Sequence, residues 1–242
     1  MYEDLKFRVY KANVQLQKYG LAPFTWGNVS ECCREDEVFA IKPSGVPFEE
    51  LSPEKMVIVS FDGKVVDGDL NPSSDSMTHA VLYRRFFNIG GIAHSHSVNA
   101  CAFAQAGYPI PAFGTTHADF AYGEIPCTRK LKPDEVGGYY EYNTGKVIIE
   151  HFREKKIDEN AVPACLVKNH GPFSWGQSAA EAVENAAILE IVAEMAIKTL
   201  TVKNFAFKKE LSTMPKSLLD KHYNRKHGAG AYYGQLDKQD NG

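Results

Sequence analysis

The chain has 242 residues, of which 44% are hydrophobic and 24% charged, as is typical of a soluble globular protein with a sizeable core. The formal net charge of -3 argues against nucleic acid or an anionic membrane surface as a partner. No apolar run approaches the length of a membrane span and the N-terminus does not resemble a signal peptide, so we expect a cytoplasmic protein with no membrane partner.

The first part of the sequence predicts one helix followed by short strands. Apolar residues at helical spacing place the helix over residues 3–19, and Gly20 ends it. Short apolar runs bounded by turn residues predict three strands, over residues 24–32, 38–41 and 56–60. Asp62 and Gly63 turn the third strand towards Val65 and Val66, which predicts a hairpin.

The rest of the sequence alternates helices with strands. Residues 73–75 offer N-cap candidates for a helix that runs through Leu82. Later elements are a strand at 92–94, a helix at 98–106, a helix near 147–152, a strand at 164–168, a long helix from 178 past 200 and a helix at 217–225. The strand at 164–168 is expected to connect through Gly171 and Pro172 to the long helix, where Ser178 and Glu181 form a capping box.

No internal repeat, low-complexity linker or shift in composition marks a boundary between domains. We therefore expect one α/β domain over residues 1–235, followed by a polar and frayed tail over residues 236–242.

Three histidines lie where predicted strands give way to loops. His94 and His96 are two residues apart, so in a strand they point to the same face and can converge on one ion. His170 ends a second apolar run, and a third imidazole from a neighbouring strand would leave one coordination position open, as in catalytic zinc sites. The alternative is that these are hydrogen-bonded structural histidines, the commoner role of a lone histidine near a core.

Asp75 has three interpretations from the sequence. Its place at the start of a predicted helix favours a capping role. It is equally suited to supply an oxygen ligand or to orient an imidazole that binds the metal.

Three clusters of small residues are candidate anion sites. Gly27 and Asn28 form the first, residues 43–45 with nearby Lys42 the second, and residues 72–74 the third. Backbone N–H groups in such turns cradle phosphates, although each cluster alone is also typical of an ordinary turn. Neither a phosphate-binding loop of the nucleotide hydrolases nor a dinucleotide fingerprint is present, so nicotinamide chemistry has no support.

Together these motifs resemble the L-ribulose-5-phosphate 4-epimerases of the class II aldolase/epimerase family. The resemblance runs over about residues 3–235, and its most specific stretches are 25–30, 41–45, 72–75, 94–96, 114–119 and 169–173. The first of these are shared with the fuculose-phosphate aldolases. The C-terminal stretches 220–223, 225–228 and 231–235 are particular to the epimerases.

The resemblance implies a divalent metal, usually zinc and alternatively manganese. His94, His96 and His170 would bind this ion, with Asp75 as a weaker further ligand. Lys168 and Asn169 depart from the pair that usually precedes the last histidine in the family, which puts the surroundings of His170 in question.

The resemblance also implies the residues that bind and transform a phosphorylated ketopentose. Asp119 and Tyr233 would be the acid/base pair. The substrate, chiefly its phosphate, would be held by Gly27, Asn28, Lys42, Ser44, Gly45, Ser73, Ser74, His222 and Arg225.

The implied fold is a three-layer α/β/α sandwich around a mostly antiparallel central sheet. The implied assembly is a homotetramer with four-fold symmetry, in which the active sites lie between subunits.

The reaction can be argued from its chemistry. Hydrogen at C4 of a ketopentose phosphate is not acidic, and oxidation at C4 would need a nicotinamide. The remaining route breaks the C3–C4 bond to give an enediolate and glycolaldehyde phosphate, then rejoins them on the other face of the aldehyde. This route interconverts L-ribulose 5-phosphate and D-xylulose 5-phosphate, and it needs a metal for the developing charge and two proton-transfer groups.

Two alternatives remain beside the epimerase. One is an aldolase of the fuculose-phosphate type, which would release an aldehyde and dihydroxyacetone phosphate. The other is a non-catalytic module like the adducin head domain, which lacks the metal histidines. Arabinose and ascorbate catabolism both fit the epimerase activity.

Overall fold

The computed structural model describes residues 2–206, 212–229 and 231. Tyr233 and the predicted tail over residues 236–242 lie outside the described residues. Within those ranges, none of the helices combines the length and the apolar character that crossing a membrane requires.

Seven strands form one sheet in which every neighbouring pair is antiparallel. In chain order they are β1 (Asn28–Cys33), β2 (Val38–Ile41), β3 (Val57–Ser60), β4 (Val65–Asp67), β5 (Gly91–His94), β6 (Ala164–Leu166) and β7 (Pro172–Gly176). Their order across the sheet is β4-β3-β2-β1-β5-β7-β6. The predicted hairpin of β3 and β4 is confirmed.

Helices cover both faces of the sheet. In chain order they are α1 (Glu3–Lys18), α2 (Ser76–Arg85), α3 (Val98–Ala106), α4 (Thr115–Ala118), α5 (Pro133–Gly137), α6 (Tyr140–Lys155), α7 (Ala179–Ala206) and α8 (Lys216–His227). Side chains of α1 and α7 share one apolar cluster with the sheet, and those of α2 and α6 share another.

Strand β2 shows how the sheet joins the two layers of helices. Val38 and Ala40 point to the cluster of α1 and α7, whereas Phe39 and Ile41 point to that of α2 and α6. This alternation is the two-residue period of a strand, and here both of its faces are buried. The predicted α/β/α sandwich around an antiparallel sheet is therefore confirmed.

The prediction that residues 171–178 form a simple connection is wrong. They contain β7, which lies between β5 and β6 and is buried along its whole length. Its five residues begin with Pro172 and end with Gly176, and these two residue types are typical of turns, so the strand between them was read as a connection. The hydroxyl of Ser174 is buried but satisfied, since it donates a hydrogen bond of 2.9 Å to the carbonyl of Ala182.

The first strand is also shorter than the prediction over residues 24–32, because β1 begins at Asn28. Phe24 and Gly27 have φ angles of 57° and 80°, which are incompatible with an extended strand. The preceding segment is a turn, closed by a 3.1 Å hydrogen bond from the Trp26 amide to the Pro23 carbonyl.

Candidate active site

The three histidines of the sequence analysis lie together. His94 is the last residue of β5, and His96 lies two residues further along the chain. His170 lies in the turn between β6 and β7. Because β5 pairs with β7, with His94 opposite Phe173, the turn is brought beside the end of β5. One ring nitrogen from each of the three histidines lies within 4.8 Å of those from the other two.

Hydrogen bonds orient two of these rings. His94 donates from Nδ1 to the Pro172 carbonyl at 3.0 Å, which leaves its Nε2 free to bind a metal. The Tyr140 hydroxyl lies 3.2 Å from Nδ1 of His170. The ring of His94 also stacks on Phe173, with 4.2 Å between centroids. The packing holds the cluster in place without using up its metal-binding atoms.

The surroundings favour neutral imidazoles. Burial, and then the neighbouring His94, lowers the pKa of His170 to about 4. The same two causes lower the pKa of His96 below its usual value. A neutral imidazole has the lone pair that metal coordination needs, and three such nitrogens fit a borderline divalent ion such as zinc.

Asp75 immediately precedes α2, but its side chain makes no capping hydrogen bond. Instead Oδ2 accepts a hydrogen bond of 2.7 Å from Nδ2 of Asn28. Burial acts to raise the pKa of the Asp75 carboxyl, but His94, His79 and Asn28 outweigh it and lower the pKa. The capping interpretation is therefore wrong, and an anionic carboxylate lies beside the histidines without belonging to their 4.8 Å cluster.

The three turns of small residues are joined to one another. The Ser44 amide donates to the Asn71 carbonyl at 2.9 Å, and the Ser73 amide donates to the Lys42 carbonyl at 3.0 Å. Asn28 links them to β1, since its Nδ2 also donates to Ser73 Oγ at 3.0 Å. The three segments therefore form one continuous wall next to the histidine cluster.

Gly27 is required for the first turn to approach β5. A Cβ atom at this position would lie 2.8 Å from the backbone carbonyl oxygen of His94. The φ angle of 80° independently disfavours any L side chain.

Lys42 is a buried cation in this wall. Its Nζ lies 3.3 Å from the Thr25 carbonyl and 3.4 Å from that of Pro43, and 4.9 Å from the centre of the Phe48 ring. Burial lowers the pKa of Lys42 to about 8. Within the described part of the chain it forms no salt bridge, so its charge is available to an anion.

A cleft of about 550 Å³ lies between this wall and the histidines. The sequence-predicted residues that line it are Gly27, Asn28, Lys42, Ser44, Gly45, Ser73, Ser74, Asp75, His94, His96 and His170. Thr25, Trp26 and Pro43, which belong to the stretches that carry the family resemblance, also line it, and sequence reasoning missed only Tyr140 and Glu141 among the described lining residues. The volume is that of a small-metabolite site. A larger groove of about 1020 Å³ beside α2 and α6 contains none of the three histidines.

The other predicted residues lie elsewhere on the same chain. Asp119, directly after α4, is held by α8, because Nε of Arg225 donates to its Oδ1 at 3.0 Å and Nη2 to its Oδ2. Nδ1 of His222 lies 3.1 Å from Oδ1 of Asp119. Burial acts to raise the pKa of the Asp119 carboxyl, but Arg225 and His222 outweigh this effect and lower the pKa. None of the three lines the cleft of its own chain.

Most of the chain is similar to known proteins of one family. Residues 7–197 match the family model described as class II aldolase and adducin N-terminal domain. L-ribulose-5-phosphate 4-epimerases UlaF of Salmonella paratyphi C (strain RKS4594) and Salmonella choleraesuis (strain SC-B67) are each 49% identical over 233 residues, covering 96% of this chain and 99% of theirs.

A solved L-fuculose 1-phosphate aldolase has a similar fold, with a TM-score of 0.74 and 25% identity. The match covers 92% of this chain and 95% of the aldolase.

Proposed function

The chain belongs to the class II aldolase and adducin N-terminal domain family, and from this premise we propose that it is an L-ribulose-5-phosphate 4-epimerase. The observation that carries the proposal is 49% identity to 4-epimerases over 96% of the chain, which includes the C-terminal region beyond the family match at residue 197. The reaction is the interconversion of L-ribulose 5-phosphate and D-xylulose 5-phosphate, an isomerisation.

The reaction proceeds by breaking and remaking the C3–C4 bond. Removal of the proton from the C4 hydroxyl lets the C3–C4 bond break, leaving its electron pair in an enediolate and releasing glycolaldehyde phosphate. After the aldehyde turns, the enediolate attacks its other face and the new C4 oxygen takes up a proton. No oxidant or reductant is consumed, in keeping with the lack of a dinucleotide fingerprint in the sequence.

His94, His96 and His170 are proposed to hold one divalent ion per subunit, with Asp75 beside it. When bound, this ion supplies a Lewis acid for the negative charge that develops on the substrate oxygens. Zinc is the proposed ion because three neutral imidazole nitrogens and a carboxylate are ligands that it favours. Burial lowers the pKa of His96 and His170 and so favours their neutral form, and the hydrogen bond of His94 to the Pro172 carbonyl fixes its ring.

The joined turns are proposed to bind the substrate phosphate. The hydroxyls of Ser44, Ser73 and Ser74 supply donors, and Lys42 supplies the charge. Gly27, Gly45 and Asn28 shape the wall. Holding the phosphate keeps glycolaldehyde phosphate bound while it turns between cleavage and re-addition.

Asp119 and Tyr233 are proposed as the acid/base pair, with His222 and Arg225 towards the phosphate end. Since Asp119 does not line the cleft of its own chain, we propose that it serves the cleft of a neighbouring subunit. A cytoplasmic homotetramer with active sites between subunits meets this requirement. The pathway is one that forms or consumes a phosphorylated ketopentose, such as arabinose or ascorbate catabolism.

The fold similarity to a fuculose-phosphate aldolase supports a second candidate function. This function is the cleavage of a ketose 1-phosphate with release of the aldehyde. A coupled assay distinguishes the two. Metal-replete protein should form D-xylulose 5-phosphate from L-ribulose 5-phosphate and release no free aldehyde from a ketose 1-phosphate. Steady aldehyde release without epimerisation would favour the aldolase. An adducin-like module would bind no stoichiometric metal, and the clustered histidines speak against it.

A further inference from the structure

Helix α3 connects the two loops that carry the clustered histidines. It begins at Val98, two residues after His96, and ends at Ala106. The turn that carries His170 packs against the far end of the same helix, because the Asn169 amide donates to the Ala104 carbonyl at 3.0 Å. The separation of His170 from His96 is therefore set partly by a rigid helix.

The contact at the far end depends on an unusual backbone conformation. Asn169 has a φ angle of 64°, which lies in the left-handed region that asparagine, aspartate and glycine adopt most easily. In this conformation its amide reaches the Ala104 carbonyl in the last turn of α3, which also accepts a 3.2 Å hydrogen bond from the Gly107 amide. Its Nδ2 lies 3.5 Å from the Gln105 carbonyl.

Lys168, which precedes Asn169, makes two further contacts that hold this turn in place. The Lys168 amide donates to Thr128 Oγ1 at 3.2 Å. The end of the Lys168 side chain lies against Gly107. A Cβ atom added to Gly107 would be 2.6 Å from Nζ of Lys168. A positive charge at this end of α3 is favoured by the helix dipole. The turn itself is closed by a 3.0 Å hydrogen bond from the His170 amide to the Val167 carbonyl.

The near end of α3 is fixed by α7. The carboxylate of Glu190 accepts hydrogen bonds of 2.9 Å from the backbone amides of Asn99 and Ala100. A negative charge at the start of a helix is favourable, and these amides would otherwise lack partners. With both ends fixed, α3 acts as a spacer of constant length.

We infer that Asn169 is a positioning residue, whose left-handed backbone docks the His170 turn on α3 and so sets the distance between His170 and the pair His94 and His96. This inference rests on the proposed metal site. It also gives a role to the pair Lys168 and Asn169, which departs from the usual family pattern.

Two substitutions separate the backbone conformation from the side chain. Asn169→Ala disfavours the left-handed conformation, whereas Asn169→Gly keeps it and removes the side chain. Glu37, an exposed residue in the turn between β1 and β2, has a φ angle of 52° and provides the matched control Glu37→Ala. Thermal unfolding of each metal-free variant establishes that it is folded.

Zinc affinity is measured by competition with a chromophoric chelator, and ligand geometry by the visible absorption of the cobalt(II) form. Asn169→Ala should weaken zinc binding about tenfold, the scale known for partners that orient metal ligands, and change the cobalt spectrum. Asn169→Gly and Glu37→Ala should keep the wild-type affinity and spectrum.

Wild-type affinity and spectrum in Asn169→Ala would overturn the inference, and so would an equal loss in Asn169→Gly or in Glu37→Ala. A wild-type protein that binds no stoichiometric zinc or cobalt would instead reject the proposed metal site, and the inference with it.

Discussion

Among the described residues, two polar groups of the cleft have unused binding capacity. Oδ1 of Asn28 is buried without a hydrogen bond, and Lys42 contacts carbonyl oxygens but forms no salt bridge. Leaving a buried polar atom such as Asn28 Oδ1 unpaired costs about 1–3 kcal/mol, so such atoms are normally satisfied. The Lys42 ammonium has the chemistry to bind an anion, whereas the Asn28 oxygen can only accept a hydrogen bond, as from a hydroxyl.

Removing one histidine of the cluster should reduce metal binding and activity together. In His96→Asn the loss of one of three imidazole nitrogens should lower zinc affinity by more than about tenfold. Metal content by atomic emission and epimerase rate are measured on the same samples. His151 on α6 lies away from the cleft, so His151→Asn is the matched control. Full activity of wild-type protein after chelation would contradict this role.

Acid should destabilise the metal-free protein while most of its carboxylates are still ionised. Burial lowers the pKa of His170 to about 4 and that of His79 to about 3, from an ordinary value of 6.5. Between these values and 6.5 the unfolded chain binds protons that the folded chain does not. The free energy of unfolding therefore falls as the pH falls through this window.

We expect this free energy to fall by about 2 kcal/mol or more between pH 7 and pH 5, the scale set by a shift of this size in one imidazole. Urea denaturation at a fixed protein concentration measures it. Equal stability at the two pH values would show that the histidines are not buried in their neutral form.

At the scale of elements, local sequence patterns correctly predicted helices and strands that form from residues adjacent in the sequence. The strand Val38–Ile41 and the helix Val98–Ala106 have the predicted bounds. Strand β7 escaped prediction because it is short and bounded by Pro172 and Gly176, which are typical of turns, and it is β7 that brings His170 beside His94. Tyr140 was missed for a different reason, since its contact with His170 exists only in the folded chain and leaves no sequence signal.

Helix α8 holds the proposed acid/base residue Asp119, since its Arg225 and His222 orient the carboxylate and lower its pKa. Asp119→Asn should lower kcat by about a hundredfold or more, the scale of general acid–base catalysis, and leave the zinc content unchanged. Tyr233→Phe should do the same if the phenol is the second proton-transfer group. Steady-state kinetics with metal analysis measure both. Unchanged kinetics in both variants would reject the acid/base pair.

At the scale of the whole molecule, the proposed catalytic residues of one chain form two groups that lie apart. The residues proposed to bind metal and phosphate line the cleft, whereas Asp119, His222 and Arg225 do not. The sequence predicted the members of both groups through the family resemblance. The sequence could not predict that the two groups lie apart, because the distance between them is a property of the folded chain.

Mixed oligomers should therefore recover activity from two inactive variants. When His96→Asn and Asp119→Asn chains are co-expressed, some clefts with intact histidines will adjoin a neighbour with intact Asp119. A random mixture should regain up to about one quarter of the wild-type rate if each site is shared by two subunits. Each variant alone is the control. Mixed tetramers, verified by mass, with no recovery would place each acid/base group in the cleft of its own chain.

The most direct measurement of the central claim follows L-ribulose 5-phosphate in the presence of the purified protein, with and without a chelator. Zinc-replete protein should convert it to D-xylulose 5-phosphate, detected by a coupled enzyme, and chelation should stop the conversion until zinc is restored. No D-xylulose 5-phosphate from zinc-replete protein, or a rate that chelation leaves unchanged, would contradict the account of this chain as a metal-dependent 4-epimerase.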